Sequence, residues 1–394
     1  VRRAALLTAL ALATLLGATG CGSEDGSSDP VAAAPGKTLT VYASLPARGP
    51  SAAAANAAEL GMRRALAEAD GRVGGRNLRL VVLSSTRPGE DSWDPGTIEA
   101  NAERAVDDPS AIAYLGELGQ GGSAVSLPVT NRATLLQVSP ADGLTSLTRT
   151  PTGRPRSGPE RYYEEGAHSF VRLVPPDLFL AREIAREVTP PGGRRPVLLR
   201  SERIDDRELD GIVAALVDAK GIAPEVHDVV PDDPEQLPDL VTEVVESRPS
   251  SIVLAAPSGP STSALLAELA RHAPDVPVYG GPSLALANPS GATPTEVTAF
   301  TGVLSARERP PAGRRLLAEL GRALGSAVRP EALLGYEAMR LVLDAIEAAG
   351  PDRRAVARAA LAPRERRGPL GRYSVLASGD IDGPGISRRP LGAP

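Results

Sequence analysis

Apolar runs alternate with amphipathic segments along most of this chain, and that alternation limits the possible folds more than any other feature. Thr38–Tyr42 reads as a strand, Ser51–Ala69 as a helix and Leu78–Leu83 as the next strand. A helix over Pro95–Val106 leads to the strand Ala111–Leu115, and one over Ser123–Asn131 leads to Thr134–Val138. Strands that alternate with helices pair in parallel through right-handed crossovers, which predicts an α/β domain with helices on both faces of its sheet. Between Thr145 and Gly166 the pattern lapses into Arg-, Pro- and Gly-rich sequence that reads as a surface loop. It then restarts. Strands at Ser169–Val174, Pro196–Arg200, Glu225–Val230, Ser251–Ala255 and Val276–Tyr279 interleave with helices at Leu178–Val188, Arg207–Ala219, Pro234–Glu246 and Ser261–His272. The restart predicts a second lobe of similar build. Helices over Ala312–Leu324, Pro330–Ala349 and Arg353–Leu361 close the pattern.

The amino terminus reads differently. Arg2 and Arg3 precede an apolar run from Ala4 to Leu16, then the small residues Gly17-Ala18-Thr19-Gly20, then Cys21. A basic start, a short apolar core and small residues before a cut predict a secretory signal over residues 1–20. The run falls short of the roughly 20 residues that span a bilayer. A cysteine directly behind the small residues resembles the bacterial lipobox, in which the thiol is acylated and becomes the first residue, although Ala18 stands where leucine is preferred. Cys21 is the single cysteine of the chain, which favours lipidation over an incidental residue behind an ordinary signal. Residues 21–36, rich in Gly, Ser, Asp, Ala and Pro, read as a flexible tether.

Composition removes several classes of function. A net charge of −5 leaves no electrostatic footprint for nucleic acid. One cysteine rules out a disulfide framework or a four-cysteine zinc site. His168, His227 and His272 are scattered without metal-ligand spacing, and no Gly-x-Ser-x-Gly elbow is present, so neither an enzyme nor a cofactor is expected. Asp205-Asp206 and Asp232-Asp233 read as helix caps, and Trp93 as a local packing residue.

Several segments in order resemble the type I periplasmic-binding-protein family, specifically the lipoproteins that serve branched-chain amino-acid ABC transporters. They include Gly61-Met62-Arg63-Arg64-Ala65-Leu66, Ser92-Trp93-Asp94-Pro95-Gly96, Ile112-Ala113-Tyr114-Leu115-Gly116-Glu117 and Gln137-Val138-Ser139-Pro140-Ala141. Later come Phe170-Val171-Arg172-Leu173-Val174-Pro175, Gly335-Tyr336-Glu337-Ala338-Met339 and Gly371-Arg372-Tyr373-Ser374 with Gly379-Asp380. The resemblance implies two Rossmann-like lobes with parallel sheets joined by three crossovers. It places residues 37–171 and 309–369 in the first lobe, and 172–308 and 370–394 in the second. It also implies a monomer, anchored to the outer face of the membrane through Cys21, that carries a small molecule in its cleft to an ABC permease. A lipid-anchored sensor of the same fold, signalling to a membrane protein, is the alternative. A permease encoded beside it favours transport, and a kinase there favours sensing.

Candidate cleft residues follow from the same pattern. Gly116-Glu117-Leu118-Gly119-Gln120-Gly121-Gly122-Ser123 is a glycine-rich strand-to-helix turn, which exposes N–H groups at a helix N-terminus and suits an anion. In the resembled family this turn holds an α-carboxylate, often through a serine, and Gln120 occupies that position here. Gly119-x-Gly121-x-x-Ala124 also fits a loose dinucleotide fingerprint, but no acidic residue closes the next strand, so the nucleotide reading is rejected. Ser139, Ala141, Asp142 and Gly143 lie at the end of the next strand, with Gly143 where the family usually has threonine and Asp142 read mainly as a turn cap. On the second lobe Ser258 and Ser283 are the expected contacts, and Ser283 stands where amino-acid binders carry an acid for the ammonium. Gln120–Ser123 and Ala141–Gly143 are therefore expected to hold a small solute that lacks a free ammonium.

Overall fold

Strands that are apolar on both faces leave no side for solvent, and here they pair in parallel beneath two helical layers. The computed structural model describes residues 38–119, 121–151, 156–163, 167–188, 195–200, 204–228, 237–255, 260–287, 291–383 and 385–391. The first half runs β1 (Thr38–Leu45), α1 (Ala52–Glu68), β2 (Arg72–Val73), β3 (Arg76–Ser84), α2 (Pro95–Asp107), β4 (Ala111–Leu115), α3 (Ser123–Arg132), β5 (Leu136–Ser139) and β6 (Phe170–Arg172). Its sheet has the order β2-β3-β1-β4-β5-β6, parallel except for the β2–β3 pair. β4 and β5 are buried at every residue. α2 starts where its composition says it should: Pro95 opens the helix and the Asp94 carboxylate accepts from Thr97 N at 2.8 Å.

The chain next forms α4 (Asp177–Glu187), β7 (Val197–Arg200), α5 (Ile204–Asp218), β8 (Glu225–Asp228), α6 (Leu237–Glu246), β9 (Ile252–Ala255), α7 (Pro260–His272), β10 (Val278–Gly280), α8 (Pro282–Ala287) and β11 (Val297–Thr301). It ends with α9 (Pro311–Leu324), α10 (Glu331–Ala349), α11 (Arg353–Leu361), β12 (Glu365–Gly368), β13 (Gly371–Ser374) and β14 (Ser387–Pro390). The second sheet has the order β14-β11-β10-β9-β7-β8 and is parallel apart from β14. One of its faces packs Leu180, Ile184, Ile212 and Val213 from α4 and α5. The other packs Val241, Val244, Leu266 and Leu269 from α6 and α7. The architecture is thus two Rossmann-like α/β lobes.

Three stretches of chain pass between the lobes. After β6 the chain enters α4, whose apolar face lies in the second core. After β11 it returns, because Leu316, Leu320 and Leu333 of α9 and α10 pack with Ala57 of α1. After Ile381 it leaves again to add β14 to β11. α1 and α10 touch backbone to backbone: a Cβ at Gly61 would lie 1.8 Å from Ala332 O, and one at Gly335 would lie 1.9 Å from Ala58 O. Only glycine permits that approach. At the first crossing the fully buried Arg172 bonds Asp380 Oδ1 at 2.8 Å and Leu144 O at 2.6 Å, and Arg149 bonds Asp380 Oδ2 at 2.7 Å.

Several expectations need correction. The stretch 370–381, assigned to the second lobe, places Tyr373, Val375 and Ile381 in the first core, because an apolar side chain there finds α10 and α11. The start of the expected surface loop is buried. Thr145–Leu147 forms a 3-10 turn whose Leu147 packs with Leu127, Tyr162 and Phe170. β11 and α8 add to the pattern read from sequence, and Gly371–Ser374 pairs with β12. The signal, the tether, Cys21, Gln120 and Ser258 lie outside the described residues.

Candidate binding cleft between the lobes

The carboxyl ends of the strands in both sheets face one another, and the loops that leave them enclose a cleft of about 120 Å³. This is where open α/β sheets take ligands. Pro46 follows β1, Trp93 follows β3, Leu118 and Gly119 follow β4, and Ala141 and Gly143 follow β5. The opposite wall comes from Pro282, Ser283 and Leu286 after β10 and from Thr301 and Gly302 at the end of β11. Most of the wall is apolar, which suits a solute with a hydrocarbon body.

Of the residues expected from sequence, Ala141, Gly143 and Ser283 line this cleft. Gly121, Gly122, Ser123, Ser139 and Asp142 do not; they form a buried layer behind it. Ser139 Oγ donates to Glu117 O at 2.7 Å and accepts from Asp142 N at 2.9 Å. Ser123 Oγ accepts from Glu117 N at 3.1 Å. Both serines brace the loops and face inward.

Among the described residues, the N–H groups of Gly121 and Ser123 at the start of α3 are already used. Asp142 Oδ1 accepts from Gly121 N at 2.9 Å and from Leu144 N at 3.1 Å, while Oδ2 accepts from Ser123 N at 2.8 Å. A side chain of the protein thus occupies the N–H groups of Gly121 and Ser123. Asp142 is a cap, as its sequence context suggested, but the helix it caps begins 19 residues earlier. Burial pushes its carboxyl above the ordinary value against the lowering effect of these N–H groups.

Glu117 lies beside it. Tyr114 Oη donates to Glu117 Oε1 at 2.7 Å, and Oε2 has no hydrogen-bond partner among the described residues. Desolvation, with the Asp142 charge adding to it, pushes Glu117 up to about 8, so it holds its proton at neutral pH.

Sequence reasoning missed several polar residues of the walls. Asp177, the first residue of α4, lines the cleft while 1% exposed. Its carboxylate fills the space beside Gly143, where an added Cβ would meet Oδ1 at 2.2 Å. Glu331, bonded to Arg329 at 2.9 Å, and Arg389 also line it. The signal for Asp177 was present in Pro175-Pro176-Asp177, a helix start that follows a strand end. Trp93, read as a packing residue, faces the cleft and lies against Gly119, where a Cβ would come 2.6 Å from its Cδ1. Among the described residues no group of three or more side chains could hold a metal ion, and no helix is long and apolar enough to cross a membrane.

Comparisons with known proteins agree with this architecture. A leucine-binding protein LivK from Thermotoga maritima is similar at 18% identity with a TM-score of 0.73, over 89% of this chain and 94% of that one. A solute-binding protein from R. palustris, solved with benzoate, is similar at 16% identity with a TM-score of 0.70, over 90% and 93%. LivJ from Streptococcus pneumoniae, solved with isoleucine, is similar at 16% identity with a TM-score of 0.68, over 89% and 100%. No curated protein matches this chain in sequence. The family described as Periplasmic binding protein matches residues 39–380, and with its two lobes and three crossings the chain belongs to that family in its type I form.

Proposed function

We propose that this protein is the extracytoplasmic receptor of an ABC importer, which captures a small solute between its lobes and delivers it to a membrane permease. The observation that carries the reading is the cleft itself, with Trp93, Ala141 and Gly143 on one wall and Pro282, Ser283 and Gly302 on the other. A solute there would touch both lobes at once, and hinge closure would bury it. The structurally similar proteins solved with isoleucine and with benzoate support a solute of that size. Ala141, Gly143, Ser283, Trp93 and Asp177 are the residues assigned to contact it. The protein works as a monomer held at the outer face of the membrane by lipid on Cys21, and Cys21→Ser should release it into the soluble fraction.

Trp93 supplies the test, as the only tryptophan in the chain. A solute that enters the cleft should shift its emission and raise the melting temperature, since a ligand at about a hundred times its Kd adds roughly 2.7 kcal/mol. Ala141→Trp, which fills the cleft, should abolish stabilisation by that solute. Stabilisation that survives Ala141→Trp would refute the assignment.

A further inference from the structure

Two arginines stand side by side on β14 and are used differently. Neighbours on a strand point to opposite faces of the sheet. Arg388 lies opposite Phe300, on the face that α4 and α5 cover, and there it bonds Glu187 at 3.0 Å, with Glu296 at 3.6 Å. Arg389 lies opposite Ala299, on the face that Leu284 of α8 covers, and it lines the cleft. Half-buried in that wall, Arg389 makes no hydrogen bond or ion pair among the described residues. Glu308 lies within range of its charge, but the two form no ion pair. Glu308 Oε2 instead accepts from Ser305 N and Ser387 Oγ, each at 2.7 Å.

The acids on the cleft walls are committed elsewhere or screened. Glu331 is held by Arg329 at 2.9 and 3.2 Å, and Asp177 is engaged within the protein. Asp91 is exposed to water, which screens it. Trp93, Leu118, Val174 and Leu286 make much of the remaining wall apolar. Arg389 is the one cation among the described lining residues. A guanidinium presents paired N–H donors that match the two oxygens of a carboxylate, and apolar surroundings strengthen the pair. We propose that Arg389 is the charge partner of the ligand, so that the cleft selects an apolar monocarboxylate. The acid head sits on the second lobe at Arg389, and the hydrocarbon body lies against Trp93 and Leu118 of the first. This rests on the cleft reading above and adds to it a residue from the strand that follows the third crossing. A second carboxylate on the same solute would find no unpaired cation on the wall.

Calorimetry with matched pairs tests it: isocaproate and benzoate, each beside its neutral amide. At least one acid should bind wild type about tenfold tighter than its amide, the worth of one charge-assisted hydrogen bond. Arg389→Gln should bring that acid down to the affinity of its amide and leave the amide within about twofold of wild type. Arg389→Lys, which keeps the charge and loses the paired donors, should retain part of the preference. Arg388→Gln, on the opposite face, should leave the acid-to-amide ratio unchanged, and melting temperatures check that each variant folds. Amides that bind as tightly as the acids would overturn the proposal and leave the cleft standing, as would an acid preference that survives Arg389→Gln. Equal weakening of acid and amide in that variant would make Arg389 a brace for β14 and overturn it too. Acid binding that persists in Ala141→Trp would instead refute the cleft as the location.

Discussion

Asp142 and Glu117 show what a single residue contributes to this molecule and how much of it a sequence can reveal. The glycine turn before α3 was legible as an anion site because its backbone N–H groups follow from local composition. Its occupant was not, because Asp142 reaches those groups across the neighbouring strands β4 and β5, a contact that register and not spacing decides. Asp177 was hidden for a similar reason: its role depends on the gap at Gly143, on the other lobe. Glu117 gives a testable consequence. Its folded-state value of about 8 lies above the unfolded value of roughly 4.3. Between those limits the native state holds a proton that the unfolded chain releases, so stability falls as pH rises through the window and levels off above it. The slope is at most about 1.4 kcal/mol per pH unit. Glu117→Gln should flatten this part of the profile and leave the variant at least as stable as wild type near pH 8, as urea unfolding at a series of pH values would measure. An unchanged slope in the variant would place the titration elsewhere.

At the scale of elements, the strand–helix alternation was legible because its periodicity is local, and the packing partners were not. The family resemblance returned α10 to the first lobe, but nothing in the residues of α1 names it as the neighbour of α10. The glycines that let the two helices meet sit inside helices, where glycine costs about 1 kcal/mol relative to alanine. Here close packing offsets that cost. Gly61→Ala should therefore destabilise the protein despite its better helix propensity. A Cβ 1.8 Å from Ala332 O forces the helices apart, at a cost of about 1–3 kcal/mol. Gly335→Ala, which meets Ala58 O, should cost a similar amount. The double variant should lose less than the sum, because one separation of the helices relieves both contacts. Chemical denaturation of the three variants reads this directly, and full additivity would mean that the two crossings are independent. β11 escaped the sequence reading because Val297-Thr298-Ala299-Phe300-Thr301 is short and half polar, although all five residues are buried.

For the whole molecule, the hinge is held by a buried charge network and by backbone bonds between lobes. Asp177 N donates to Gly143 O at 2.7 Å, Leu178 N to Thr145 Oγ1 at 2.9 Å, and Ser146 N to Glu208 Oε1 at 3.0 Å. Behind them, Arg172 and Arg149 converge on Asp380, which lies just before the third crossing. Burial raises the Asp380 carboxyl, and the Arg172 charge with bonds from Thr148 and Arg149 outweighs that and holds it below its usual range. A depressed carboxyl stabilises the fold above its unfolded value of roughly 3.9, and that contribution is lost as pH falls through the folded value. Asp380→Asn leaves Arg172 buried without its counter-charge and should cost about 3–5 kcal/mol at neutral pH. The gap to wild type should narrow in acid, where Asp380 itself becomes neutral. Thermal unfolding at neutral and acidic pH would check it, and a gap that widens in acid would contradict the pairing.

The interleaved chain path also sets an order of assembly. Gly74 N bonds Glu347 at 2.9 Å across 273 residues of sequence, and the core around α1 stays open until α10 has been made. The second lobe is nearly continuous, and its sheet lacks only the edge strand β14 once Thr301 has emerged. A chain synthesised from its amino terminus thus makes the first lobe's sheet early but must carry that sheet's apolar flank uncovered while the other lobe forms. Such a flank invites aggregation and proteolysis. The lobe that comes first in the sequence is the last to be finished, and a chain cut short before α10 keeps one sound lobe and one that a protease can enter.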